Sequence, residues 1–268
     1  MPSQLRRFST FKAAMPWLQR LAALLLVIAL WQFVVSLQVI PDRYLPPPSS
    51  VVFAFAQMVR SGELVDAELL TLGRAFLALI ASVSLAMLLA GLGVIFKPVR
   101  EAMRGIAELL RPIPPAAVVP LAVFVLGTNL KLYLFVACLV AVWPTYLSAV
   151  SAFEGVSDVL RQTGRSFGCG RLSLLMLIVL PQALPEIFVG MRLSAAISLI
   201  AIVVTEMLAG QSGLGNLIFR MAFAIRVPEV YAITLLCGIN GILFSQLIVL
   251  LGRVASGWHM KFMAESVA

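Results

Sequence analysis

Charge is scarce in this sequence. Only 12% of its 268 residues are Asp, Glu, Lys or Arg, where soluble domains carry about a quarter. Hydrophobic residues make up 61%, more than a chain of this length can bury in water, so lipid is the expected solvent for much of it. Histidine is nearly missing: His259, near the C-terminal end, is the sole example. Most acid–base and nucleophile-activating schemes therefore lose their usual proton carrier, and no catalytic residue is assigned. The three cysteines, Cys138, Cys169 and Cys237, lie far apart. They form no metal-type pair and imply no disulfide framework, so they read as small buried hydrophobes, with no metal site expected. No GxxxxGK[ST] phosphate loop occurs, and any ATP-driven work needs a separate ATPase. Internal repeats and low-complexity tracts are lacking too.

What is present is a net charge of +8. Nucleic-acid binding would want a basic stripe on a soluble fold, and the apolar background excludes it. Basic loops on the cytoplasmic face of a membrane protein fit better. Residues 1–20 are polar and basic, with Arg6, Arg7, Lys12 and Arg20, and residues 21–40 form an apolar run that can cross about 30 Å as a helix. A signal peptide has the same order, but Trp31, Phe33 and Gln38 stand where small cleavage-site residues belong. The run is read as an uncleaved first span. A proline-rich break covers residues 41–50, a short interfacial helix 51–60, and an acidic polar connection 61–68. The second span, 69–96, holds Gly73, Ala81, Ser84, Ala90, Gly91 and Gly93, small residues that let membrane helices approach closely.

Residues 97–111 are basic and amphipathic, and RPIPP at 111–115 breaks them, with a kink at Pro114. A short third crossing follows at 116–126, a turn at Gly127-Thr128-Asn129, and a fourth span at 130–150 containing Trp143-Pro144. A fifth, 172–208, is too long for one straight crossing and is expected to kink at Pro181 and Pro185. Residues 210–229 read as a Gly-rich polar loop before a last span at 230–251. With six crossings and the N-terminus inside, the inner segments carry Arg6, Arg7, Lys12 and Arg20; Lys97, Arg100, Arg104 and Arg111; Arg161, Arg165 and Arg171; and Arg253 and Lys261. Most of the basic residues then lie on the cytoplasmic side, as the positive-inside rule requires.

That orientation places residues 156–171 in the cytoplasm. The segment is longer than an ordinary helix connection. Asp158 sits near its start, in keeping with a helix dipole, and Gly168 and Gly170 break it before the next span. A glycine here, with Leu180-Pro181 about a dozen residues later, resembles the EAA loop of ABC-importer permeases. Other stretches resemble the same family. Leu45-Pro46 with Pro48 is similar to its LPSP, Thr71-Leu72-Gly73-Arg74 to its SLxR, and residues 111–115 to its RPIPP. Residues 179–185 are similar to VLPAALP, Gly190-Met191-Arg192-Leu193 to GLRL, and Glu206-Met207-Leu208 with Ser212-Gly213-Leu214-Gly215 to EML followed by SGLG. Together these point to the nitrate/sulfonate/taurine subfamily.

The resemblance implies an all-α polytopic membrane protein of six transmembrane helices with the type I ABC importer permease fold. It implies a cytoplasmic segment 1–20, a permease domain 21–258 and a cytoplasmic tail 259–268, in the bacterial cytoplasmic (inner) membrane. The implied partners are ABC ATPase subunits, a second permease copy as a homodimer, a periplasmic or lipid-anchored solute-binding protein, and membrane lipid. ATP and Mg would be bound by the partner ATPase, with no cofactor on this chain. The implied cargo is a small anion such as nitrate, a sulfonate or a taurine-like molecule. In the family the EAA loop forms a coupling helix that docks on the ATPase, which assigns that role to Asp158, Arg161, Gln162, Thr163, Gly164, Arg165, Phe167, Gly168 and Arg171. Gln162-Thr163-Gly164 stands where Glu-Ala-Ala is expected, so docking falls to Arg161, Arg165 and Phe167 or to a divergent partner.

Charges within spans are costly and mark function by default. Arg192 either pairs with Glu186 or backbone carbonyls, or lines a path for an anion, which a guanidinium suits. Glu206 reads as helix-end or gate structure. Arg192, Glu206, Trp143 and Asn129 are the candidates for the translocation path. Two other readings stand beside the permease. An ion-coupled secondary transporter would use Arg192 and Glu206. An intramembrane protease would use Ser212 of Gly210-Gln211-Ser212-Gly213, but it needs a histidine base, and His259 falls on the opposite side of the membrane.

Overall fold

The computed structural model describes residues 3–38 and 40–256, and these are helical with short connections. The expected tail 259–268, with His259 and Lys261, lies outside the described residues. Helix α1 runs Ser3–Ser36 without a break at the expected start of the first span; its apolar part is Leu21–Ser36. Helix α2, Pro48–Arg60, opens on a proline in its first turn and buries Val51, Ala54 and Met58, the three- and four-residue spacing of one helix face. Trp31 of α1 donates to the Pro46 carbonyl at 3.1 Å, which fastens α1 to the connection before α2.

Helix α3 is Glu63–Ile95. It therefore takes in residues 63–68, expected as an acidic loop. Gly62, at φ +81°, turns the chain, and Glu63 and Asp66 occupy the first turn, where the helix dipole favours carboxylates. Leu64, Ala67, Thr71 and Ala75 then continue one buried stripe. Helices α4 (Lys97–Leu110) and α5 (Pro115–Leu126) meet at 101° across the prolines at 112 and 114. Helix α6 is Leu130–Gly155, started by Asn129, whose side chain accepts from the Lys131 amide at 2.9 Å.

A nine-residue helix α7 follows at Asp158–Ser166. One long apolar helix then covers Arg171–Ala209. Within it, α8 (Arg171–Leu174) passes through a π-helical segment, Leu175–Val179, into α9 (Leu180–Ala209). Pro181 lies in the first turn of α9, directly after the π segment, and Pro185 lies inside it. Residues 210–229, expected as a loop, contain the helix α10, Leu214–Phe223. Its glycine flanks read as loop, but Leu214, Leu217 and Met221 bury one face. Helix α11 is Val227–Ala255.

Among the described residues, four helices, α3, α6, Arg171–Ala209 and α11, are long and apolar enough to cross a membrane, and the bent pair α4–α5 makes up to five. The expected six crossings are not all reached on length and composition. Helix α5 has 12 residues, about 18 Å of helix against a hydrocarbon core of about 30 Å. The apolar part of α1, Leu21–Ser36, is likewise a shorter apolar helix.

Helix α6 is the centre of the bundle. Trp143, Tyr146, Ala149 and Phe153 pack with Leu174, Leu175, Val179, Ala183 and Ile187 from the long helix and with Ala86 and Ala90 of α3. Gly190 of α9 lets the two helices close up: a methyl there would sit 2.7 Å from the Pro144 carbonyl and 2.6 Å from Ser148 Cβ. Beside it, the Thr145 and Ser194 hydroxyls are 2.8 Å apart. A separate core at the other end joins Met58, Leu64, Ala67, Leu214, Leu217, Met221 and Ile233. The bundle thus has an α7 end, where α4, α6 and α9 meet, and an α10 end.

Candidate functional site

At the α7 end, Ser157 caps α7 by accepting from the Leu160 amide at 3.4 Å, and Asp158 occupies the first turn. The helix ends where Gly168 adopts φ +81°, with the Cys169 amide donating to the Gly164 carbonyl at 3.0 Å. Arg161 turns back. Its guanidinium donates to the Phe153 carbonyl and, at 3.2 Å, to the Val156 carbonyl, groups left open at the end of α6. Of the residues assigned to docking, Arg161 is thus committed within the chain.

Gly164 is buried, and its Cα faces the long helix. An added methyl would come 2.7 Å from Leu174 Cδ1 and closer still to Ile178 Cδ1. The glycine standing where the family pattern has alanine therefore matches larger side chains filling the space opposite. What remains outward is Gln162, Thr163, Arg165, Arg171 and, above all, Val159 at 72% exposed and Phe167 at 85%. Thr163 spends its hydroxyl on the Val159 carbonyl at 2.9 Å. Exposed Val159 and Phe167 beside Arg165 form an apolar patch with a basic edge, the composition of a protein-docking face. On its other flank, Arg100 and Arg104 of α4 pair with Glu154 of α6 at 3.3 and 2.7 Å.

At the α10 end, three stretches that the sequence shows separately come together on one carboxylate. Glu206, near the end of α9, is fully buried. It accepts from Thr71 Oγ1 at 2.8 Å, from Arg74 Nη1 at 2.7 Å and from the Gly215 amide at 3.1 Å. Arg74 also donates to the Ser212 carbonyl at 2.5 Å and lies 4.1 Å above the Tyr133 ring. The Leu214 amide donates to Thr71 Oγ1 at 2.8 Å. Charge is balanced and each oxygen is bonded, the condition under which a buried ion pair holds its place. Gly213 at φ +141° and Gly215 are required by this closeness: a methyl on the first would strike the Glu206 carboxylate and on the second the Val203 carbonyl. The cluster ties α3, α6, α9 and α10 together. A further bond, Asn240 to Glu68 at 2.9 Å, ties α11 to α3.

The other path candidates fall in different settings. Trp143 is 5% exposed and donates its indole N–H to the Leu139 carbonyl. Asn129 is used as the cap of α6 and donates to the Leu126 carbonyl at 2.7 Å. Arg192 and Glu186 are both exposed on α9 and are not paired with each other. Ser212 contributes its backbone carbonyl to Arg74. Arg74 and Thr71 were visible in the sequence only as letters of a motif. With Arg74 and Glu206 132 positions apart, no local spacing rule could pair them.

Residues 82–256 match the family described as the binding-protein-dependent transport system inner membrane component. The chain is 30% identical to the taurine transport system permease protein TauC of Escherichia coli, over 89% of each chain. It is 26% identical to the putative aliphatic sulfonates transport permease protein SsuC of Bacillus subtilis, over 92% of this chain and 89% of that one. Among solved structures, a chain of the MetNI methionine ABC transporter in an inward-facing conformation superposes with a TM-score of 0.65 at 16% identity, covering 73% of this chain and 97% of that one. The fold is accordingly that of type I ABC importer permeases. With the family matched over most of its length, the chain belongs to the inner-membrane permease components of binding-protein-dependent ABC importers.

Proposed function

We propose that this permease imports a small anion of the sulfonate, taurine or nitrate kind, driven by ATP hydrolysis in a separate ATPase that docks on α7. The observation that carries the reading is the build of α7. It is a capped helix with an exposed apolar face, pinned by Arg161 to α6 and by Gly164 to the start of the long helix. ATP and Mg belong to the partner. A solute-binding protein delivers cargo at the α10 end, and two copies of this chain form the path between them. The basic residues of the α7 end, Arg100, Arg104, Arg161, Arg165, Arg171 and Arg253, support placing that end in the cytoplasm.

Movement of α7 reaches α9 directly, because α8, the π segment and α9 form one helix. At its far end, Glu206 is held by Arg74, Thr71 and α10. The α7 end of α9 therefore moves while its α10 end stays anchored, and the path alternates between the two faces of the membrane. The ion-coupled alternative is disfavoured by Glu206, whose carboxylate is already fully engaged within the chain.

The test is a scan of α7. Phe167→Ala and Arg165→Glu should lower both co-purification of the ATPase and ATP-dependent uptake in proteoliposomes. Unchanged recruitment and uptake across the segment 156–171 would sink the coupling role.

A further inference from the structure

Along the described spans, ionised side chains sit near helix ends or are paired, except on α9. Glu186 and Arg192 lie well inside Arg171–Ala209, both are exposed, and neither has a hydrogen bond or ion pair among the described residues. Glu186 lies on an open face with Gln182, Val189, Leu193 and Ile200, and Arg192 lies at the edge of that face. This face lies between two packed flanks. On one side Gly190 and Ser194 meet α6, and on the other Phe188 and Leu199 meet Gly252 and Gly241 of α11. Hydrocarbon against it would strand a bare guanidinium at depth. A sealed protein contact would have to supply an opposite charge against Arg192. A water-lined passage avoids both.

We propose that this face lines the path and that the Arg192 guanidinium holds the anionic head group of the solute in mid-passage. The proposal rests on the importer reading above and names the residue that meets the cargo. A planar fork of N–H donors matches the oxygens of a sulfonate or nitrate. Glu186 lies six residues toward α7, about 9 Å along the axis and a third of a turn around it. Its charge offsets that of Arg192, which keeps the hold weak enough for release, as passage requires. The charges of Arg74 and Glu206 cancel each other and do not compete.

The test uses the assembled complex in proteoliposomes, with taurine, methanesulfonate and nitrate as probes and uptake normalised to co-purified ATPase. For the probe that wild type carries, Arg192→Gln should lower the maximal rate about tenfold or more, while half-saturation, set at the binding protein, shifts by less than about twofold. Arg192→Lys should retain a substantial part of the rate. Arg192→Cys, labelled after assembly, separates charge from folding. An aminoethyl thiosulfonate should restore uptake and a sulfonatoethyl thiosulfonate should lower it further. The unsubstituted chain, with Cys138, Cys169 and Cys237, is the control for labelling elsewhere. Equal effects of the two labels, or wild-type rates in Arg192→Gln, would overturn the role of Arg192 and leave the importer reading standing. ATP-driven uptake of none of the three probes by wild type would overturn the anion reading itself, and this proposal with it.

Discussion

Arg74 and Glu206, 132 residues apart in sequence, stand 2.7 Å from each other inside the bundle, with the carboxylate fully buried and the guanidinium 16% exposed. Removing one partner leaves the other charge uncompensated. Arg74→Ala should destabilise the folded permease by about 3–5 kcal/mol, read as lower thermal stability of the purified complex. Adding Glu206→Gln should recover much of that loss. Additive losses in the double variant would show that the two side chains act separately.

Gly215→Ala places a methyl against the Val203 carbonyl, which backbone cannot easily yield. The expected result is displacement of α10 and a sharp drop in the amount of folded protein in membranes. Gly210→Ala, where nothing lies within 4 Å but φ is +69°, should cost only about 1 kcal/mol of backbone strain. Equal losses at both positions would show that crowding is not the reason for Gly215.

In α7, Gly164→Ala should loosen the helix from the long helix, because Leu174 and Ile178 already fill the space. ATPase stimulation by loaded binding protein should fall while the ATPase still co-purifies. Ile178→Val in the same chain removes one of the two colliding methyls and should restore part of it. A double variant no better than the single one would place the defect elsewhere.

Arg161→Ala leaves two carbonyls at the end of α6 without their donor. A hydrogen bond from a charged group is worth about 1.5–3 kcal/mol. The expected outcome is faster amide exchange across residues 153–166 with uptake reduced more than ATPase binding. Unchanged exchange would rule out the fastening role.

The sequence made the helices legible wherever apolar runs were long. It also made α7 legible, because its polarity and its glycine exit are local properties. Two differences share a cause. Residues 63–68 and 214–223 were read from their acids and glycines, yet Leu64, Ala67, Leu214, Leu217 and Met221 bury them in one common core. That core exists only once α2, α3, α10 and α11 meet. Likewise, Glu206 was visible as a buried charge, but Arg192, 14 residues away on the same helix, was as eligible a partner as Arg74 until the fold brought α3 alongside. The bend at 112–114 is legible because proline acts on its own neighbours, whereas the number of crossings rests on apolar runs supported by charge, and the lengths of the shorter ones appear only in the fold.

The π segment Leu175–Val179 has a mechanical meaning of its own. A π turn stores one residue more than the α turn it replaces. Were that residue released into regular helix, everything beyond would have to rotate by about 100° about the axis. The Gly190–Ser148 contact and the Thr145–Ser194 bond oppose such rotation of α9. On the proposed coupling, part of any twist from α7 would be taken up at the π segment, while a tilt of the continuous helix would still pass into α9.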